Sequence, residues 1–269
     1  MSNEAQAITK KRVVFRLPNE DAVTIRRDVA YRQSETGART MDIYYPPDFS
    51  DGAKVPAVIF VSGYSDPGFQ KMLGCKLKDM ESYISWGRLT AASNLVAITY
   101  SAIDPVADAA ALLDFLKPNA ASLGIDSERI GIWACSGNAP NALSILMEQR
   151  SEDVKFAVFF YPYLLDLDGH TGTAEAAKRF GFVNPSAGKS IEDVPLNTPL
   201  FIVRAGRDEM PQLNKTVDRF LSQALNANLP LTFTNHPTAP HGFDISNDSI
   251  TTHEVIASVL AFMRSHLFV

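Results

Sequence analysis

Only two cysteines, Cys75 and Cys135, occur in 269 residues. That is too few for a disulfide framework, and a chain of this length buries a sufficient core without one. Cys135 falls in an apolar run and reads as a small buried hydrophobe, so a reducing cytoplasm is the expected location. No apolar stretch reaches the roughly 18 residues that suggest a membrane span, which argues against a membrane partner. Positive charge is not in excess: 25 Lys and Arg stand against 30 Asp and Glu, a formal net charge of −5. A nucleic-acid partner would favour a basic face, so none is expected. The five histidines include no pair at metal-ligand spacing with a convincing third ligand. A metal is therefore not expected. Internal repeats, charge blocks and low-complexity stretches are missing too. The opening residues show no basic region followed by an apolar one, which speaks against a secretory signal.

What is present is an ordinary globular balance, 46% hydrophobic and 20% charged, at a length that suits one large domain. Apolar β-rich runs alternate with helical patterns, as a doubly wound parallel sheet requires. Strands are expected at 23–31, 40–45, 57–62, 95–101, 130–135, 156–161, 200–205 and 231–235. The middle runs are continuously apolar, as strands covered by helices on both faces must be. The first two alternate more, like antiparallel edge strands. Helices are expected at 82–93, 105–116, 138–148, 213–227 and 251–266. Val255, Ile256, Val259, Leu260 and Met263 give the last of them an apolar stripe. Residues 1–12 read as a flexible polar arm and 13–269 as a single α/β domain. Residues 164–198 interrupt the alternation. An unstructured loop of that length is uncommon, so short helices forming a small cap insertion over one end of the sheet are expected. A second irregular stretch, 65–74, is placed to close the other side of a pocket there.

The run Arg129-Ile130-Gly131-Ile132-Trp133-Ala134-Cys135 reads as a buried strand that turns sharply into a helix, with Ser136 at the corner. Such a turn lifts a hydroxyl clear of the backbone and points the next amide at whatever the oxygen attacks. Side chains two positions either side would collide as the chain reverses. Ala134 and Gly137 are small, while Asn138 stands where glycine is usual. Farther on, the apolar run 200–205 ends at Gly206 with Asp208 two residues later, and His241 lies in a loop after the run 231–235. Nucleophile, acid and base therefore follow one another along the chain as Ser136, Asp208 and His241.

That order is the one α/β-hydrolases use. Four segments resemble this family, in particular its esterases and dienelactone-hydrolase-like members. Met41-Asp42-Ile43-Tyr44-Tyr45-Pro46-Pro47 resembles the family's second strand and the signature that ends it. Val58-Ile59-Phe60-Val61-Ser62-Gly63-Tyr64 is similar to the third strand and its oxyanion loop, with Ser62 in place of histidine. The segment around Ser136 resembles a nucleophile elbow, and His241-Gly242-Phe243 matches a frequent ending. The likeness covers most of the chain. It implies an α/β-hydrolase fold, a mostly parallel eight-stranded sheet with helices on both faces and a small cap. It also implies a serine esterase acting on small carboxylic esters through an acyl-enzyme, with no cofactor.

On this reading Ser136 attacks an acyl carbonyl, His241 takes its proton and passes it to the leaving alcohol, and Asp208 fixes the imidazole tautomer. The amide of Gly137 supplies half of an oxyanion hole. The other half is expected from the amide of Tyr64, with that of Gly63 as the alternative. Cys135 stays open as a rival nucleophile, since dienelactone hydrolases use a cysteine. Glu209 and His236 stay open as rivals of Asp208 and His241. Asp166 and Asp244 read as solvated loop carboxylates or turn caps. Arg204 and Arg207 read as partners of nearby carboxylates or as holders of an anionic substrate group. The same triad would also serve an acyltransferase or a small-peptide hydrolase, and the same fold a non-catalytic binding protein. A small-molecule ester is the expected partner, and an exposed edge strand near the C-terminus leaves room for a homodimer.

Overall fold

Continuous apolar runs need cover on both faces, and the structure provides it around one sheet. The computed structural model describes residues 8–35, 37–50, 52–148 and 151–268. The strands are β1 (Thr24–Arg32), β2 (Arg39–Tyr45), β3 (Val55–Phe60), β4 (Val96–Tyr100), β5 (Ile125–Cys135), β6 (Ala157–Phe160), β7 (Leu200–Ala205) and β8 (Leu231–His236). They lie in the order β1-β2-β4-β3-β5-β6-β7-β8. β1 pairs with β2 and β2 with β4 antiparallel, while every other pairing is parallel. β1 and β8 are the edges, and β8 leaves Phe233 exposed there.

The helices are α1 (Asp66–Leu73), α2 (Glu81–Ala92), α3 (Pro105–Asn119), α4 (Ala139–Met147), α5 (Gly172–Phe180), α6 (Leu213–Asn226), α7 (Phe243–Ser246) and α8 (Ile250–Leu267). Successive residues of a strand point to opposite faces. Ile59 accordingly joins one buried cluster with Leu112 of α3, Leu143 of α4 and Phe220 of α6. Its neighbours Val58 and Phe60 join the other with Trp86 of α2 and Val255, Ile256, Val259 and Met263 of α8. The stripe read from the sequence of α8 is thus its buried face.

Most element ends shift by a residue or two and β5 begins at Ile125 rather than at 130, while two segments differ for identifiable physical reasons. The stretch 65–74 is not irregular. Ser65 caps α1 by accepting from the Gly68 N–H at 3.3 Å, Pro67 sits in the first turn, and Gly74 closes it in a left-handed conformation with φ 87°. α3 continues past Leu116 to Asn119 with Pro118 inside its last turn. Residues 1–7 of the expected arm lie outside the described residues. From Val13 onward the chain is tied down: the Val13 N–H donates to Ser85 Oγ at 3.0 Å and the Val14 N–H to the Asp244 carbonyl at 2.8 Å.

Residues 164–198 carry α5 and a short turn at Ile191–Asp193. Asp166 caps α5, accepting from the Thr173 and Ala174 N–H groups at 2.7 and 2.8 Å. The segment reaches the C-terminal end of the sheet, where the Val183 N–H donates to the Gly63 carbonyl at 2.8 Å. No helix among the described residues is long and apolar enough to cross a membrane.

Candidate active site

β5 runs directly into the turn at Ser136–Asn138 and then into α4. Ser136 has φ 52°, a left-handed conformation that a non-glycine residue holds only when its surroundings demand it. The Tyr163 N–H donates to the Ser136 carbonyl at 3.2 Å, fastening the corner to the chain beyond β6. The next residue has no room for a side chain. A Cβ on Gly137 would stand 2.4 Å from Phe182 Cδ1 and 2.7 Å from the Tyr64 hydroxyl.

The acid and base loops are laced together. The Gly206 N–H donates to the His236 carbonyl and the Arg207 N–H to the Ala239 carbonyl, each at 2.8 Å. A Cβ at Gly206 would lie 2.5 Å from the Pro237 carbonyl oxygen, so glycine at that position permits the contact. This lacing delivers His241 to Asp208. His241 Nδ1 lies 2.7 Å from Asp208 Oδ2 and Nε2 lies 3.0 Å from Ser136 Oγ. A carboxylate can only accept, so Nδ1 carries the proton and Nε2 is left to accept from the serine hydroxyl. The Met210 N–H holds the other carboxylate oxygen at 2.9 Å, and the Asp208 side chain is fully buried. The Tyr161 ring meets the imidazole edge to face at 4.8 Å between centroids.

The rivals stand elsewhere. Burial pushes the Cys135 thiol up to about 12, which deprives it of nucleophilic thiolate at neutral pH. Glu209 is exposed. His236 is buried, with Nε2 3.0 Å from Thr252 Oγ1 and its ring against Phe243. Arg204 of β7 pairs with Asp218 of α6 at 2.7 Å. Asp244 needs correction. It is no solvated loop carboxylate but lies buried, accepting from the Tyr161 hydroxyl at 2.6 Å and from Trp86 Nε1 at 2.7 Å. Burial raises its pKa, against the pull of those two hydrogen bonds.

The loop after β3 is organised differently from the sequence reading. The Gly63 N–H donates to Asn138 Oδ1 at 2.7 Å in a buried setting and is not free for a substrate oxygen. The Tyr64 N–H faces Ser62 Oγ at 3.2 Å, and that hydroxyl returns to the Tyr64 carbonyl at 2.9 Å. Asn138 also donates to the Tyr83 hydroxyl at 3.0 Å. The asparagine at the usual glycine position therefore clamps the elbow to the β3 loop. Nothing local in the sequence announced this, because its partners lie 75 and 55 residues away.

A cavity of about 230 Å³ opens beside Ser136 and His241. Its wall is mostly apolar: Phe69, Met72 and Leu73 of α1, then Leu77 and Met80, with Tyr83, Trp86 and Trp133 deeper. Trp86 and Trp133 are at once buried core and cavity wall. Phe180, at the end of α5, and Ile8 reach it from opposite parts of the chain.

An eight-stranded sheet with antiparallel β1 and β2, a strained serine after β5, an acid after β7 and a histidine after β8 identify the architecture. The chain has the α/β-hydrolase fold. Solved structures agree. A structure described as a bacterial heroin esterase superposes with a TM-score of 0.68 at 16% identity, covering 94% of this chain and 87% of that one. A fungal esterase from Rhizomucor miehei gives 0.67 at 16% identity, with coverage of 91% and 84%. An esterase from Thermogutta terrifontis gives 0.63 at 19% identity, with coverage of 93% and 95%. No family model and no curated protein matches the sequence.

Proposed function

We propose that this α/β-hydrolase-fold protein is a serine ester hydrolase that cleaves small carboxylic esters through an acyl-enzyme on Ser136. The observation that carries the reading is the unbroken relay Ser136 Oγ, His241, Asp208 at the mouth of an apolar cavity. Ser136 attacks the acyl carbonyl as its proton passes to His241 Nε2, and Asp208 stabilises the imidazolium that results. The imidazolium protonates the leaving alcohol, and water repeats the sequence to release the acid. The amide of Gly137, in a first turn with no intrahelical acceptor, faces the developing oxyanion.

The cavity takes the acyl group. A cavity of about 150 Å³ holds benzene, so about 230 Å³ suits a benzoyl or medium acyl chain as well as acetyl. The wall of α1 and the cap residue Phe180 set its limits. Esters also fit the neighbours, among them a Thermogutta esterase with propionate or butyrate bound. Hydrolysis is favoured over transfer to a sequestered acceptor because the His241 side chain is 29% exposed, so water reaches the base. A cytoplasmic setting belongs to the same reading, since Cys75 and Cys135 are both free thiols.

The test is turnover of p-nitrophenyl acetate, butyrate, octanoate and benzoate, with fluorophosphonate labelling followed by mass spectrometry. Turnover and a single adduct on Ser136, both abolished in Ser136→Ala, are expected. Labelling at another residue, or full activity in that variant, refutes the mechanism.

A further inference from the structure

An oxyanion hole needs two donors, and of the three backbone amides expected to serve, those of Gly137, Gly63 and Tyr64, the last two already have acceptors among the described residues. The Gly63 N–H is held by Asn138 at 2.7 Å, and the Tyr64 N–H by Ser62 Oγ at 3.2 Å. The Tyr64 side chain, by contrast, turns back over the elbow. It lines the cavity, packs edge-on against Phe69 and Phe182, and brings its hydroxyl to 2.7 Å from where a Gly137 Cβ would be. Ordinary bond lengths put a hydroxyl so placed about 5 Å or less from the Gly137 nitrogen. Two donors that share one oxygen at about 2.7–3.1 Å each must lie within about 6 Å of one another, so the pair can converge. Among the described residues the Tyr64 hydroxyl has no hydrogen-bond acceptor.

We infer that the Tyr64 hydroxyl is the second oxyanion donor, in place of a backbone amide of the β3 loop. The inference rests on the ester-hydrolase reading. As the Ser136 Oγ–carbon bond forms, the carbonyl π pair moves onto oxygen and the serine proton goes to His241 Nε2. The Tyr64 O–H donates to that oxyanion and keeps its proton, as does the Gly137 N–H. When the intermediate collapses, the pair returns to the carbonyl, the C–O bond to the alkoxide breaks, and the alkoxide takes the proton from His241. Burial raises the Tyr64 pKa, so the hydroxyl stays a donor across the working range. The absent side chain at Gly137 has a function on this account: it leaves the space through which the hydroxyl reaches.

Tyr64→Phe removes one oxygen and keeps the ring contacts. Its kcat on p-nitrophenyl butyrate should fall by about 10²–10³ with KM within a few-fold, the loss typical of one oxyanion donor. Affinity for a trifluoromethyl ketone, which forms a tetrahedral adduct on Ser136, should fall in proportion to kcat/KM, while affinity for product butyrate stays the same. Equal loss of both affinities would mean a distorted pocket and overturns the inference, as would a Tyr64→Phe enzyme within twofold of wild type. A wild type with no turnover and no fluorophosphonate adduct instead overturns the ester-hydrolase reading, and this one with it. The thermal midpoint of Tyr64→Phe guards against misfolding, and circular dichroism checks the fold.

Discussion

Asn138 offers the sharpest test of how the elbow is held. Its side chain is buried and bridges two elements distant in sequence, accepting from the Gly63 N–H at 2.7 Å and donating to the Tyr83 hydroxyl at 3.0 Å. Asn138→Ala deletes both. The Gly63 amide is left buried without an acceptor, which costs about 1–3 kcal/mol. The Tyr83 hydroxyl keeps Cys135 Sγ at 3.5 Å, so its loss is nearer the net value of an ordinary hydrogen bond, about 1 kcal/mol. A total destabilisation of about 2–4 kcal/mol is expected in urea melts. For a chain of this size that lowers the melting midpoint by roughly 4–15 °C. The same clamp positions residues 62–64 over Ser136, so kcat should also drop about 10–100-fold even where the variant is fully folded. Tyr83→Phe should cost less in the Asn138→Ala background than in the wild type, with a coupling of about 1 kcal/mol. A loss below about 0.5 kcal/mol, within the range of an ordinary surface change, would refute the clamp.

Two further outcomes follow from buried charge. Lys78 is buried, with its ammonium 3.1 Å from fully buried Asp42 and 3.2 Å from Asp28, so Lys78→Met should destabilise by about 3 kcal/mol. That figure is at the low end for a broken buried pair because Arg27 stays 3.2 Å from Asp42; a urea midpoint unchanged from wild type would contradict it. Burial lowers the His236 pKa below 6.5, so between the folded value and 6.5 the unfolded chain binds a proton that the folded one does not. Its contribution to stability is complete above about pH 6.5 and lost as pH falls through that window. Asp244 acts oppositely: its folded pKa is raised above 3.8, so protonation between 3.8 and the folded value favours the folded state. Urea titrations from pH 8 to 5 should show stability falling below about pH 6.5, with a shallower slope in His236→Gln; equal slopes would exclude His236.

What was legible in the sequence is what depends on neighbours along the chain. Strand positions agree to within a few residues, since a buried strand advertises itself through its own apolar side chains. The convergence of Ser136, Asp208 and His241 was legible for a related reason. Each sits just past a strand end, and parallel strands gather those ends on one rim. α1 had a local signal too, a serine cap, an early proline and a closing glycine, which the reading of 65–74 as irregular passed over.

The misassigned parts depend on contacts through space. Asp244 stands just past His241-Gly242-Phe243 in a polar stretch and looks solvated, yet Trp86, 158 residues away, donates a hydrogen bond to it in the interior. The Gly63 amide looks available until Asn138 is seen to occupy it. One structural device links these cases: side chains behind the site are tied to one another across long stretches of chain. Asn138 holds Gly63 and Tyr83, and Asp244 holds Trp86 and Tyr161. The Tyr64 hydroxyl has no hydrogen-bond partner among the described residues and lines the cavity beside Ser136, which leaves it for the charge that develops during reaction.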